Sequence, residues 1–341
     1  MRFLWRTAAL VVALLGFCEG VARLMNPDAP LLPYSTEGGY PSLPASSRLR
    51  VALTPGAPVE YVTDSFGARI DGTSHTTAEP EVLIVGDSQA LGYDLPFEKT
   101  AAAHIGACAP ERGVAISAAP ASDLEDYLLR MARESRSRLA LRRVILILNL
   151  GNDLDEAYSS GQWFRGPSVQ RLPTWLVQYS RVYQWLVLQI QERDLSRTSV
   201  PGVNRILYEL SVDERVALVE ATATRLVDSL RSMPTQRILV VVIPSDVDVD
   251  QAELRKYKRY STGSAFESWL TKADAFSNQL AALRRLLVSR LQSARIDVID
   301  LHEVFDAHDA QSVYSRTSHH LTTLGNELAA GRICMQFGNN R

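Results

Sequence analysis

The sequence predicts an α/β protein whose parallel sheet is covered by helices on both faces. Several predicted strands are almost entirely aliphatic, as in RVILILNL at 143–150 and RILVVVI at 237–243. Strands without polar alternation are buried on both faces, which is typical of parallel sheets. Segments with helical periodicity lie between these strands, so the chain alternates strand and helix.

The predicted elements follow one another in a regular order. The strands are expected at 81–85, 113–117, 143–150, 237–243 and 296–301. The helices, in which apolar residues recur every three or four positions, are expected at 99–107, 123–138, 275–291 and 325–334. Ligands of such sheets bind beyond the carboxyl ends of the strands, so the residues that follow each strand are the candidates for a functional site.

The first 25 residues predict an uncleaved membrane anchor. Arginines at positions 2 and 6 precede an uninterrupted apolar run at 7–18. This run is short for a membrane span and typical of a signal peptide, but residues 3–5 lengthen it and no small-residue cleavage site follows. A cleaved signal and a buried helix of a soluble protein are the alternatives. The arginines place the N-terminus in the cytoplasm and the rest of the chain outside it.

Two regions fall outside the alternation of strands and helices. Residues 26–60 are rich in proline, serine and glycine and predict a linker that leads into one domain at 61–341. Residues 159–233 separate two core strands by far more than a crossover helix requires. They contain an aromatic amphipathic stretch at 175–190 and a helical stretch at 213–230. We interpret this region as a helical cap that covers the active site, rests on the membrane or contacts a partner.

The composition excludes some functions and leaves others open. A formal net charge of -2 provides no basic face, so no nucleic-acid partner is predicted. Of the three cysteines, Cys18 lies in the apolar run, and Cys108 and Cys334 could form one disulfide if the fold brings them together. Their spacing matches no metal-ligand pattern, and we predict neither a metal ion nor an organic cofactor.

Residues that can perform acyl transfer follow three of the predicted strands. Ser88 lies in a tight turn directly after the first core strand, and Asn152 follows the third. His319 and His320 lie beyond the last strand. A serine hydroxyl, an amide N–H and an imidazole at one sheet edge supply a nucleophile, an oxyanion donor and a general base. Each of these residues alone is more often structural, and their combination in this order makes the pattern specific.

These residues lie in motifs that resemble those of the SGNH (GDSL-type) hydrolase family. GDSQALG at 86–92 resembles its first block, GND at 151–153 its third and HLTTLG at 320–325 its last. YVTDSFGARIDG at 61–72 resembles the segment before GDS in membrane-anchored bacterial members. The resemblance runs from Tyr61 to the end of the chain and leaves the cap unmatched. It implies a three-layer α/β/α fold with a parallel, flavodoxin-like sheet.

Carried over to this chain, the resemblance implies that Ser88 is the nucleophile and His320 the base. It also implies that Asn152 and the Ser88 backbone N–H form part of the oxyanion hole. His319 is the alternative base, although an exposed turn histidine is its simpler interpretation. The family's second block offers a glycine N–H to the oxyanion hole, and this chain has no glycine there. Ala121 or Ser122 falls nearest to that position, and a backbone N–H survives the replacement of glycine.

A second departure concerns the group that orients the histidine. The family places an aspartate two or three residues before it, where this chain has Ser318 and Thr317. A hydroxyl or carbonyl group there could accept the Nδ1–H, which would give a Ser–His dyad. Asp300 or Asp306 could otherwise supply the missing carboxylate. Loss of this carboxylate from a Ser-His-Asp triad lowers the rate by about 10⁴-fold.

Three functions are compatible with these motifs. The first is an extracytoplasmic serine esterase that removes a small acyl group, such as acetyl, from a carbohydrate or another ester substrate. The second, which the resemblance to anchored members implies, is an O-acetyltransferase of an envelope polysaccharide. The third is a catalytically degenerate binding or assembly protein. The resemblance implies a single-pass protein of a bacterial inner membrane, with the catalytic domain in the periplasm.

The anchor interpretation predicts that the chain stays in the membrane fraction at full length. An alkaline carbonate wash, which strips peripheral proteins, should leave it in the pellet because about 20 apolar residues suffice to span a bilayer. Immunoblotting with tags at both termini measures the length and the fraction together. Recovery of a shortened soluble protein would show instead that the segment is a cleaved signal.

Overall fold

The structure is a computed structural model, and it describes the chain from residue 2 to residue 338 with gaps. The described residues are 2–25, 32–33, 39–52, 58–73, 79–108, 113–120, 122–154, 180–184, 186, 210–233, 237–250, 273–315 and 319–338. Among the predicted site residues, Ala121, Thr317 and Ser318 lie outside them. Most of the predicted cap, including 155–179 and 187–209, also lies outside them.

Eight strands form one sheet. They are β1 (Arg48–Val51), β2 (Val59–Thr63), β3 (Arg69–Ile70), β4 (Val82–Gly86), β5 (Val114–Ala118), β6 (Arg143–Asn149), β7 (Arg237–Ile243) and β8 (Asp297–Asp300). Their order across the sheet is β1-β2-β3-β5-β4-β6-β7-β8. The last five strands in this order pair in parallel, in register from Val82 opposite Val114 and Arg143 to Val242 opposite Asp300. Taken in chain order, their arrangement is that of flavodoxin-like sheets.

The parallel part confirms the predicted fold class, and the antiparallel edge extends it. Strands β1, β2 and β3 pair antiparallel with their neighbours. The sheet is therefore mixed, whereas a wholly parallel sheet was predicted. Strand β1 has one buried residue among four, and strand β3 consists of two residues. Neither strand contains the aliphatic run that marked the buried strands. Part of the stretch interpreted as a linker thus contributes a strand to the sheet.

Helices cover both faces of the sheet. The described α-helices, in chain order, are α1 (Arg2–Met25), α2 (Ser88–Leu91), α3 (Ala101–Cys108), α4 (Leu124–Ser137), α5 (Val212–Ser232), α6 (Asp246–Val249), α7 (Ala273–Ser293), α8 (His302–Asp306), α9 (Ala310–Val313) and α10 (Thr323–Gly338), and α1 does not belong to either face. Leu83 and Val85 face one apolar cluster, which α4, α5 and α7 complete. Val82 and Ile84 face the other, which α3, α8 and α10 complete. The alternation of buried side chains between two clusters explains why these strands are aliphatic at every position.

Helix α5 occupies the end of the region that was interpreted as a cap. Its residues Val219, Leu226 and Leu230 are buried against the sheet in the same cluster as β6 and β7. Ser211 caps its N-terminus through a reciprocal pair of hydrogen bonds with Glu214. This part of the predicted cap is therefore the crossover helix between two parallel strands.

The N-terminal helix α1 is long and apolar enough to cross a membrane from Trp5 to Met25, on length and composition alone. Near its C-terminal end, Glu19 accepts hydrogen bonds from Ser180 Oγ and Arg181 N, each at 2.9 Å. The described piece of the predicted cap at 180–184 therefore contacts the end of the predicted anchor.

A disulfide joins Cys108 at the end of α3 to Cys334 in α10, with their Cα atoms 6.3 Å apart. The two helices pack against each other on one face of the sheet. The bridge closes a loop of 226 residues, and long loops lose the most entropy in the unfolded chain when they are closed.

Replacing both cysteines, in Cys108→Ser with Cys334→Ser, should lower the free energy of unfolding by about 2–5 kcal/mol because the unfolded chain regains the entropy of that loop. Urea unfolding of the detergent-solubilised chain under oxidising conditions measures the difference. Cys18→Ser is the matched control, since Cys18 is a free, exposed cysteine in α1. An unchanged urea midpoint in the double variant would contradict the stabilising role.

Candidate active site

The turn after β4 presents Ser88 at the carboxyl edge of the sheet. Asp87 caps α2 by accepting a hydrogen bond from Gln89 N at 2.8 Å. A Cβ on Gly86 would lie 2.6 Å from Ala90 Cβ and 2.9 Å from Ile147 O, so only glycine fits there. The tight turn buries Asp87 completely and leaves Ser88 partly exposed as the first residue of the helix. A serine in this position can reach a ligand beyond the sheet edge.

Gln89, the residue after Ser88, ties the C-terminal histidines to this turn. Its Nε2 donates to His319 O at 2.9 Å, and its Oε1 accepts from Leu321 N at 2.8 Å. The side chain thus holds the backbone on both sides of His320. Two segments more than 200 residues apart in the chain meet here.

His320 is oriented by an aspartate that the sequence analysis missed. Its Nδ1 lies 3.0 Å from Asp94 Oδ2, and its ring packs on Tyr93 with centroids 5.1 Å apart. A carboxylate on Nδ1 fixes the ring so that Nε2 is the atom left for proton transfer. Asp94 lies six positions after Ser88, in the loop that follows α2, and no spacing rule marked it.

The two acidic residues considered as substitutes are engaged elsewhere or exposed. Asp300 pairs with Arg284, and its Oδ1 accepts from His302 N at 3.0 Å. Asp306 is exposed at the end of α8. The carboxylate within hydrogen-bond distance of His320 is that of Asp94.

The loop that carries Asp94 is held by the buried guanidinium of Arg69. Arg69 donates to Leu91 O at 2.8 Å, to Gly92 O at 3.0 Å and to Leu95 O at 2.6 Å. Its guanidinium lies 4.2 Å from the Tyr61 ring centroid, and the Tyr61 hydroxyl donates to Tyr93 O. Burial lowers the pKa of Arg69 to about 10, and the group remains a cation at neutral pH. Tyr61 and Arg69, both in the stretch at 61–72, thus fix the loop that carries Asp94.

His319 forms a second imidazole–carboxylate pair. Its Nδ1 lies 2.7 Å from Asp246 Oδ2, and the other oxygen of Asp246 accepts from Val247 N at 2.9 Å. His319 adopts a φ of 57°, in the left-handed region that a non-glycine residue enters only when its surroundings impose it. Asp246 is 3% exposed and directly follows the turn after β7. His319 is therefore engaged with a carboxylate at the sheet edge, unlike the exposed turn histidine that was its simpler interpretation.

Asn152 lies in the turn that follows β6, between Asn149 and Asp153. Asn149 Nδ2 donates to Asp87 Oδ2 at 2.9 Å, which joins the ends of β4 and β6. Asp153 accepts from Asn149 N at 2.7 Å and from the Tyr127 hydroxyl at 2.8 Å. Asn152 lies inside this turn, with its N–H donated to Asn149 O at 3.2 Å. The turn thus places Asn152 at the same sheet edge as Ser88.

Ser122, the second-block residue that the structure describes, is fully buried. Its N–H donates to Ala119 O at 3.4 Å, and its hydroxyl accepts from Arg130 Nη2 at 3.1 Å. The Ser122 N–H is therefore engaged within the protein, and Ala121, the other predicted donor in this loop, lies outside the described residues. Among the residues that the structure describes, no three histidine, cysteine, aspartate or glutamate side chains converge to hold a metal ion.

Comparison with known proteins gives similarity in structure alone. No family model and no curated sequence matches the chain. A protein described as a G-D-S-L family lipolytic protein from Desulfitobacterium hafniense is 13% identical, with a TM-score of 0.38 over 74% of this chain and 97% of its own. The carbohydrate acetylesterase Est24 from Sinorhizobium meliloti is 12% identical, with a TM-score of 0.39 over 76% and 99%.

An aryl esterase from M. smegmatis is 11% identical, with a TM-score of 0.39 over 76% of this chain and 98% of its own. Similarity at this level carries no function over to this chain.

Asp153 makes the stability of this edge depend on pH. Burial, with the nearby charge of Asp87, raises the pKa of Asp153 well above its ordinary value. In the unfolded chain an aspartate loses its proton near pH 4. Above that pH the unfolded state binds fewer protons than the folded state, so this group makes the free energy of unfolding fall as the pH rises.

Asp153→Asn should remove this dependence because an amide does not ionise. Relative to wild type, the variant should gain up to about 1.4 kcal/mol of unfolding free energy per pH unit above pH 4, until the folded-state pKa is reached. Urea unfolding between pH 4.5 and 8 measures it, with Asp306→Asn as an exposed control. A constant difference between Asp153→Asn and wild type across that range would contradict a raised pKa.

Proposed function

We propose that the protein is a serine esterase of SGNH type in which Ser88, His320 and Asp94 form the catalytic triad. The observation that carries this proposal is the 3.0 Å contact between His320 Nδ1 and Asp94 Oδ2, next to the Gln89 side chain that ties His320 to Ser88. The sequence contains the nucleophile and the base, and the fold supplies the carboxylate that the family's last block lacks here.

The reaction is a double displacement. Ser88 Oγ attacks the ester carbonyl carbon while His320 Nε2 takes its proton, and Asp94 stabilises the imidazolium that forms. The Ser88 N–H, the Asn152 side chain and the Ala121 N–H stabilise the oxyanion. His320 returns the proton to the leaving alcohol as the carbon–oxygen bond breaks. Water then repeats the attack on the acyl-enzyme, which releases the acid and regenerates Ser88.

The substrate class is a small acyl ester, such as an acetyl ester, of a carbohydrate. This substrate assignment rests on the resemblance to the family. The proposed reaction requires no cofactor. The predicted anchor and the disulfide support a position outside the cytoplasm, because disulfides persist in oxidising compartments. We place the protein in a bacterial inner membrane with the domain in the periplasm.

Acyl transfer to a sugar hydroxyl is the second candidate, and the apolar helix α1 supports it because the anchored members that the sequence resembles include O-acetyltransferases. The attacking hydroxyl loses its proton to His320 Nε2, as water does in hydrolysis. The acyl-enzyme is common to both functions. Only the acceptor differs between an esterase and an O-acetyltransferase of an envelope polysaccharide.

The test is turnover of 4-nitrophenyl acetate and labelling by a serine-directed fluorophosphonate, using the full chain in detergent. Ser88→Ala and His320→Ala should abolish both signals. Asp94→Asn should lower kcat by about 10²–10⁴-fold with the fold intact, because the imidazole loses its orientation. Asp306→Asn is the control carboxylate and should keep wild-type kcat.

The outcomes separate the hypotheses. If His319→Ala and Asp246→Asn abolish turnover while His320→Ala and Asp94→Asn do not, the base is His319 and the proposed triad is wrong. If folded wild-type protein neither turns over nor labels, the binding or assembly function takes first place. Faster release of 4-nitrophenol with an added oligosaccharide, together with acetylated oligosaccharide in the mass spectrum, would establish transfer over hydrolysis.

A further inference from the structure

Helix α4 carries a charged side chain into the interior directly behind the Ser88 turn. Arg130 is 0% exposed, among the largest fully buried side chains that the structure describes. Burial lowers its pKa, and the charges of Glu134 and Asp126 oppose that effect. An apolar residue of similar volume is often at least as stabilising as a buried charge, so stability alone is a weak reason for an arginine here.

One nitrogen of Arg130 joins two strands at their carboxyl ends. Nη1 donates to Gly86 O at 3.1 Å and to Ser117 O at 2.9 Å. Gly86 is the last residue of β4 and lies two positions before Ser88, while Ser117 lies near the end of β5. The pairing of β4 with β5 ends at Gly86 and Ala118. Arg130 Nη1 therefore bridges the two strands at the end of their hydrogen-bonded ladder.

The other terminal nitrogen holds the loop after β5. Nη2 donates to Ser122 Oγ at 3.1 Å and also to Pro41 O. The guanidinium lies 5.1 Å from the Tyr40 ring centroid, so an aromatic face covers it from the N-terminal side. The planar group thus contacts the Ser88 turn, Ser122 and the segment at 40–41 with a fixed geometry that an ammonium group does not reproduce.

We infer that Arg130 is a positioning residue that fixes the Ser88 turn, and with it the Ser88 N–H proposed for the oxyanion hole, against the end of β5 and Ser122. The turn follows Gly86 directly, so a shift of the Gly86 carbonyl moves the Ser88 N–H. This inference rests on the proposed function, because it concerns donors that act only when an oxyanion forms. Donors displaced by a fraction of an ångström lose stabilisation of the transition state while the ester still binds.

The test compares kcat and KM for 4-nitrophenyl acetate in the full chain. Arg130→Lys keeps a positive charge and loses the fork of donors, so kcat should fall by about 10–100-fold while KM changes less than threefold. Ser122→Ala removes the hydroxyl that Arg130 Nη2 binds and keeps every backbone N–H. It should lower kcat by a smaller factor, about threefold to tenfold, also at nearly constant KM.

Two variants of arginines in or directly after α4 are the controls. Arg138→Met removes another buried arginine, which pairs with Glu134 and Asp64 at 2.7 Å each rather than with the Ser88 turn or Ser122. It should lower the melting temperature and leave kcat at 20 °C within twofold of wild type. Arg133→Met removes an exposed arginine that contacts the same Tyr40 ring and should leave both quantities unchanged.

An unchanged kcat in folded Arg130→Lys, or a kcat loss in Arg138→Met as large as in Arg130→Lys, would overturn the assignment. If Arg130→Lys does not fold, Ser122→Ala decides, and wild-type kcat in that variant would overturn the assignment. Inactive, unlabelled wild-type protein overturns the proposed function and the assignment together. An active wild type with normal Arg130→Lys and Ser122→Ala overturns the assignment alone.

Discussion

Polar groups at the carboxyl edge of the parallel sheet must form their hydrogen bonds inside the protein, and the rest of the site depends on this constraint. The strands β4, β6 and β7 are buried on both faces, so water reaches little of the backbone where they end. At the ends of β4 and β6 this requirement is met by Asp87, Asn149 and Asp153. Asp246 follows the end of β7. The chemistry-bearing residues stand on the turns that this network fixes.

Two buried arginines extend the same network to either side of Ser88. Arg69 binds three carbonyl groups of the loop behind His320, and Arg130 binds carbonyl groups of the Ser88 turn and of β5. A guanidinium is suited to this task because its planar fork of donors can satisfy several acceptors at once. The loops that carry Ser88 and Asp94 are thus fixed by charged side chains from β3 and α4.

The histidine pair shows how neighbouring residues acquire different partners. His319 and His320 are adjacent, yet one contacts Asp246 after β7 and the other contacts Asp94 after α2. His319 has a left-handed backbone, and the Gln89 side chain holds the backbone on both sides of His320. The two imidazoles are therefore held by different carboxylates at one sheet edge.

The sequence by itself determined the parallel core, the serine turn and the order of the motifs, because hydrophobic periodicity and tight-turn chemistry are local properties. It also identified Cys108 and Cys334 as the pair available for a disulfide. Tertiary structure decided the edge strands, which are too short and too mixed in exposure to show a pattern. It likewise decided the partners of both histidines and the buried roles of Arg69 and Arg130, because Asp94, Asp246 and their contacts are brought together only when distant segments pack at one sheet edge.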